Sequence, residues 1–183
     1  MRQRGRGVGR TRCRLVMVMM VMGCSWLLNF GPPAGSGDAT AMAAERSFSG
    51  SWSANGDKEI LAMGDAREAA IWHLSGHVNL AESIAGQSDY WARCIGLVDT
   101  ATGGEFRCLW RGLNGQEIFL ILQAEQLSRE VQVHGELVGG SGAAAGISGT
   151  LEFQWSTLMI QRRGDKISVG GYARELSGSY QLP

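Results

Sequence analysis

The chain has 183 residues, with 17 basic and 17 acidic side chains and four cysteines. Six arginines but only one carboxylate, Asp38, fall in the first 43 residues, which leaves 11 basic and 16 acidic groups on residues 44–183. An acidic region with no basic cluster beyond Arg162-Arg163 repels phosphate backbones, which excludes nucleic acid as a natural partner. Its roughly 140 residues suit one domain with its own core.

The N-terminus reads as an address. Arg2, Arg4, Arg6, Arg10, Arg12 and Arg14 precede the apolar run "LVMVMMVMGCSWLLNF" (15–30), and small, helix-breaking residues follow up to Ala41-Met42-Ala43. This order predicts an export signal over residues 1–43, cut between Ala43 and Ala44, ahead of a β-barrel domain over 44–183. The apolar run falls short of the roughly 20 residues that span a bilayer as a helix. The alternatives are a retained N-terminal anchor and a lipoprotein tethered through Cys24 in "VMGC". Membrane contact is expected only through such an uncleaved or lipidated N-terminus. The expected location is the periplasm or the extracellular space.

From residue 47 the chain alternates with the period of a half-buried strand. "SFSGSWSA" (47–54) puts Phe48, Gly50, Trp52 and Ala54 on one face and four serines on the other. "ANGD" (54–57) reads as a turn, and "DKEILAMGDAREAA" (57–70) is the one stretch expected to form a helical turn or two. In "IWHLSGHVNL" (71–80), Trp72, Leu74, Val78 and Leu80 share a face opposite His73 and His77. Four residues of strand span about 13 Å, so these two histidines cannot reach one metal ion, and no metal site is expected.

"YWARCIGLV" and "EFRCLW" flank the loop "DTATGG" and read as a hairpin. Cys94 and Cys108 lie symmetrically about the loop, so a disulfide is expected, with two buried free thiols as the alternative. "EIFLILQA" (117–124) is apolar on both faces and reads as fully buried. "EVQVHGEL" again alternates, and "ISVGGYARELSGSYQL" yields one or two strands. Further turns are expected at "ATGG" (101–104), "LNGQ" (113–116) and "RRGDK" (162–166). Eight to ten short strands and tight turns point to an all-β fold, a single antiparallel barrel of about eight strands. "FSGSW" (48–52) and "LSGSY" (176–180) echo one another, as first and last strands closing a barrel would permit.

The stretch "GGSGAAAGISGTLEFQWS" (139–156) lacks the spacing of a dinucleotide loop and the lysine of a phosphate loop. It leads into an alternating strand rather than a helix, so its glycines read as a bend in a sheet. Gly139, Gly140, Ser141, Gly142, Gly146 and Gly149 form a pattern that resembles the glycine-rich bend of the allene oxide cyclase and dirigent barrel superfamily. The chain departs from that pattern at Ala143, Ala144 and Ala145, where members often carry an aromatic residue. The resemblance implies an eight-stranded antiparallel barrel with a central cavity, and it transfers no catalytic or substrate-binding residue.

No serine nucleophile elbow and no cofactor motif occurs in the chain, and no cofactor is expected. Trp91, Arg93, Trp110 and Glu117 are the candidate ligand-binding residues. Arg93 is a charge among apolar neighbours, read either as a group inside the barrel or as one reaching to its rim. Trp110 and Phe106 share the face of Cys108 and read as core. The expected function is a non-enzymatic binding or structural module that holds a small apolar molecule. The alternative, implied by the resemblance, is a cofactor-independent isomerase or cyclase. An open mouth of several hundred Å³ with at least two polar groups would separate a ligand site from a filled, structural barrel. Assembly into a homo-oligomer is left open.

Overall fold

The computed structural model describes residues 44–126, 128–164 and 166–183. The expected export segment, residues 1–43 with Cys24 and Ala43, lies outside the described residues. Strands β1 (Arg46–Ala62), β2 (Glu68–Ile84), β3 (Gln87–Asp99), β4 (Gly103–Gly112), β5 (Glu117–Ala124), β6 (Glu130–Ser141), β7 (Ser148–Arg163) and β8 (Lys166–Gln181) follow in order. Each pairs antiparallel with the next, and β8 returns to pair with β1, closing a barrel. Closure leaves no unpaired sheet edge, which removes the usual site of strand-to-strand aggregation.

The alternation read from sequence sets the inside and outside of the wall. In β1, Phe48, Trp52 and Ala54 are buried while Ser49, Ser51 and Ser53 face solvent; in β2, Trp72, Leu74, Val78 and Leu80 are buried while His73, His77 and Asn79 are exposed. The echoed segments do lie together at the closure. Phe48 is opposite Gly178 and Gly50 is opposite Leu176, so each glycine faces a large partner across the seam.

Four sequence expectations give way. The strands number eight, as the fold reading expected, but most are long rather than short, up to 17 residues in β1 and β2. Residues 57–70 form no helix: β1 runs on to Ala62, and Lys58 and Ile60 pair with Trp72 and Ala70 of β2. "ANGD" is no turn either, because Gly56 sits mid-strand opposite Leu74. A Cβ at Gly56 would lie 1.7 Å from the His73 carbonyl oxygen, so glycine is there for close approach of two strands. "EIFLILQA" is buried on one face only, since Phe119 stands 40% exposed on the outer wall.

The glycine-rich bend caps one end of the barrel. Gly142 (φ +61°) and Gly146 (φ +75°) adopt left-handed backbone on either side of a short 3₁₀ turn, Gly142–Ala144. That turn tucks Ala144 and Ile147 into the barrel end, where both are fully buried. Of the three alanines only Ala144 is buried; Ala143 and Ala145 are exposed. A polar latch closes the same end. The buried Gln116 amide Nε2 donates to Tyr90 Oη at 2.6 Å and to the Ile84 carbonyl at 3.0 Å, and the Tyr90 hydroxyl donates to the same carbonyl at 3.0 Å. Burial pushes the Tyr90 phenol up to about 12, the Gln116 hydrogen bond opposing that rise.

The expected disulfide is present. Cys94 and Cys108 are directly opposite in the β3–β4 register, both point inward and they are bonded. A buried cross-strand disulfide suits an oxidising compartment.

Candidate functional site

The end opposite the cap is the end where the β1–β2, β3–β4, β5–β6 and β7–β8 turns gather, as strand direction requires. Toward this end the inward positions carry Trp52 (β1), Trp72 (β2), Phe106 (β4), and Phe153 and Trp155 (β7). Trp52 meets Phe153 edge to face at 5.7 Å between centroids and Trp155 at 5.3 Å. Between the rings the wall is built from smaller groups, among them Val98, Ala124, Val131 and Val133. Rings from β1, β2, β4 and β7 and shorter side chains from β3, β5 and β6 enclose a cavity of about 480 Å³.

Neighbouring strands make room for these rings. A Cβ at Gly171 of β8 would come within 2.6 Å of the Trp155 ring, so the glycine lets that indole lie across β8. Trp155 Nε1 donates to Thr157 Oγ1 at 3.2 Å, whereas the buried indole N–H groups of Trp52 and Trp72 meet no acceptor among the described residues.

Lys58 is the inward residue of β1 at cavity height. Its Nζ lies 5.2 Å from the centre of the Trp72 ring, a cation–π geometry. Partial burial strips water from the ammonium and holds its pKa below the usual lysine value; Glu68 opposes that shift and Arg162 adds to it. Arg162 shares the same inner face at the lip: Lys58 and Arg162 are both paired with the buried Ile167 of β8. Ser128 and Arg129 enter from the β5–β6 turn, which is fixed to β7 by the Thr157 N–H donating to the Arg129 carbonyl at 3.1 Å.

The rim is braced. Arg67 donates to Asp99 through Nε at 3.0 Å and Nη2 at 2.7 Å, joining the β1–β2 turn to the end of β3. These bonds, with the Ala101 N–H, hold the Asp99 carboxyl below the usual carboxylate range. A slip in the β7–β8 register between Thr157 and Met159 turns Leu158, Met159 and Ile160 toward the opening, where all three are substantially exposed.

None of the four residues expected to bind a ligand lines this cavity. Trp91 and Arg93 are on the outer face of β3, opposite the buried Tyr90, Ala92 and Cys94. Glu117 faces out and pairs with Arg111 at 2.7 Å. Trp110 is inside, but it packs against Tyr90 at the capped end. Phe106, read as core, belongs to the cavity wall. Lys58 escaped notice because its segment read as a helical turn; continuing the period-two count from Phe48 through Trp52 would have placed it inside. His73 and His77 stand on the outer face, near Asp57 at 3.4 Å and Asp89 at 3.9 Å.

Compared with known proteins, the sequence matches no family model, and no curated protein matches it significantly.

Proposed function

We propose that the barrel is a carrier or receptor for a small apolar molecule held in the mouth cavity, working in the periplasm or outside the cell. The observation that carries this reading is a cavity of about 480 Å³ with aromatic walls, open at a braced rim and backed by a filled barrel end. Volumes of roughly 300–1,000 Å³ with apolar lining and a few polar groups are those of small-molecule sites. A purely structural barrel has no use for the exposed lip Leu158, Met159 and Ile160 beside such a space. The buried disulfide supports an exported location.

A carrier fits the wall better than an isomerase does. Proton transfer in catalysis needs a positioned acid or base. Among the described residues that line the cavity, Lys58 and Arg129 are the charged groups, and none is Asp, Glu or His. The test is a titration with N-phenylnaphthylamine, a neutral apolar fluorophore, followed by quenching of tryptophan emission and by probe fluorescence. Saturable binding of one probe per barrel is expected, lost when Ala124→Trp fills the mouth. Absence of saturable binding, or equal binding to the Ala124→Trp variant, refutes the cavity as the site.

A further inference from the structure

The domain as a whole is acidic, with 16 acidic against 11 basic groups on residues 44–183. The mouth has the opposite sign. Its two charged lining residues, Lys58 and Arg129, are both cations, and Arg162 stands on the same inner face as Lys58 across Ile167. Elsewhere on the barrel, four arginines have partners: Arg67 with Asp99, Arg107 with Glu105, Arg111 with Glu117 and Arg174 with Glu130, while Arg46 and Arg93 on the outer wall make no such pair among the described residues. Lys58, Arg129 and Arg162 make no such ion pair among the described residues. Glu68, at the inward end of β2, is the opposing charge that Lys58 feels.

We propose that the mouth selects an apolar molecule carrying one anionic group, its body among Trp52, Trp72 and Phe153 and its oxyanion held by Lys58 and Arg129, with Arg162 adding to the field. This rests on the cavity reading above and deepens it to a ligand class. The physical case is complementarity in a partly dry site. Lys58 has given up part of its hydration and receives in return the attraction of the Trp72 ring and of Glu68, without a direct ion pair among the described residues. A carboxylate or sulfonate entering the mouth supplies a charge-assisted partner where the surrounding dielectric is low, so the bond is stronger than on an exposed surface. A cationic ligand of the same shape meets like charge from two lining residues. A neutral one gains the apolar contact alone.

The test pairs two probes that share one apolar body. Anilinonaphthalene sulfonate carries the anion, and N-phenylnaphthylamine lacks it. The full-length protein is expected to bind the sulfonate about tenfold or more tightly than the neutral probe, the size of a charge-assisted hydrogen bond. Lys58→Met and Arg129→Met should each shrink that ratio several-fold. Glu68→Gln, which removes the opposing charge without touching the wall, should widen it. If the neutral probe binds as tightly as the sulfonate, or if none of these variants changes the ratio, the charge selection is overturned and the apolar cavity still stands. If neither probe binds, the cavity reading itself fails and this inference fails with it.

Discussion

Tyr90 links the capped end to a measurable pH dependence. Its phenol is 1% exposed and hydrogen-bonded to the Ile84 carbonyl and the Gln116 amide, and burial raises its pKa to about 12. In the unfolded chain a tyrosine titrates near 10. The folded state therefore favours the protonated phenol. Its contribution to stability is complete below about pH 10 and is lost as pH climbs from about 10 to about 12. Two units at 1.36 kcal/mol each make that loss about 3 kcal/mol. Tyr90→Phe keeps the ring and removes the titration. At neutral pH the variant should be less stable by about 1–2 kcal/mol, because the Gln116 amide loses an acceptor and the Ile84 carbonyl a donor. Urea unfolding of both proteins from neutral pH to about pH 12 gives the difference directly, and Tyr172, Tyr180 and the lysines cancel in it. The gap should close above about pH 10 and change sign by about pH 12. A gap that stays constant across that range would refute the reasoning, since the phenol would then titrate alike in both states.

Other perturbations follow from the same frame. Replacing both cysteines, Cys94→Ser with Cys108→Ser, removes a link across a sequence separation of 14 and should lower stability by about 3 kcal/mol, read from the urea midpoint at unchanged slope. Ala85 (φ +51°) and Gly86 (φ +81°) are the two central residues of the β2–β3 hairpin, both left-handed. Ala85→Asn, the residue such turns favour, should therefore raise stability by about 0.5–1 kcal/mol, visible as a higher melting temperature. Gly56→Ala should destabilise by about 2 kcal/mol or more, since its Cβ would meet the His73 carbonyl at 1.7 Å; a neutral result in a melting experiment would show that β1 and β2 separate there at little cost.

The barrel itself was legible because its signal is periodic. Phe48, Trp52 and Ala54, or Val131, Val133 and Leu137, declare a face whatever surrounds them, and a disulfide symmetric about a turn declares a register. The ends of strands were less legible. Asn55-Gly56-Asp57 carries turn chemistry, yet it lies mid-strand, because a local propensity weighs little against pairing with β2 on one side and β8 on the other. The site was harder still. Alternation tells which way a side chain points, not how high along the barrel axis it sits or what fills the space opposite. Trp110 and Trp72 are both inward tryptophans, yet the first is packed against Tyr90 in the filled end and the second walls a cavity. That difference depends on stagger between strands distant in sequence.

One feature of the pattern does carry height. Along the inward positions of β1, the series Phe48, Gly50, Trp52, Ala54 and Gly56 is uncharged until it reaches Lys58. From Leu80 toward the opposite end, the inward positions of β2 run Val78, Gly76, Leu74, Trp72 and Ala70 before Glu68. Inward positions from β6 run Leu137, Gly135, Val133 and Val131 before Arg129, just outside the strand. An ionised side chain at an inward position has to find water or a partner, so the first charge in each series marks where the packed interior stops. The three marks fall at one end of the barrel, the mouth, and two of them line the cavity. The same residues that betray the opening therefore set its charge. A substitution that returned the pattern to apolar, Lys58→Leu with Arg129→Leu, should leave the fold intact and raise affinity for the neutral probe, because burying further apolar surface on binding contributes roughly 25 cal/mol per Å². Retained preference for the sulfonate in that double variant would place the selecting charge elsewhere, on Arg162 alone.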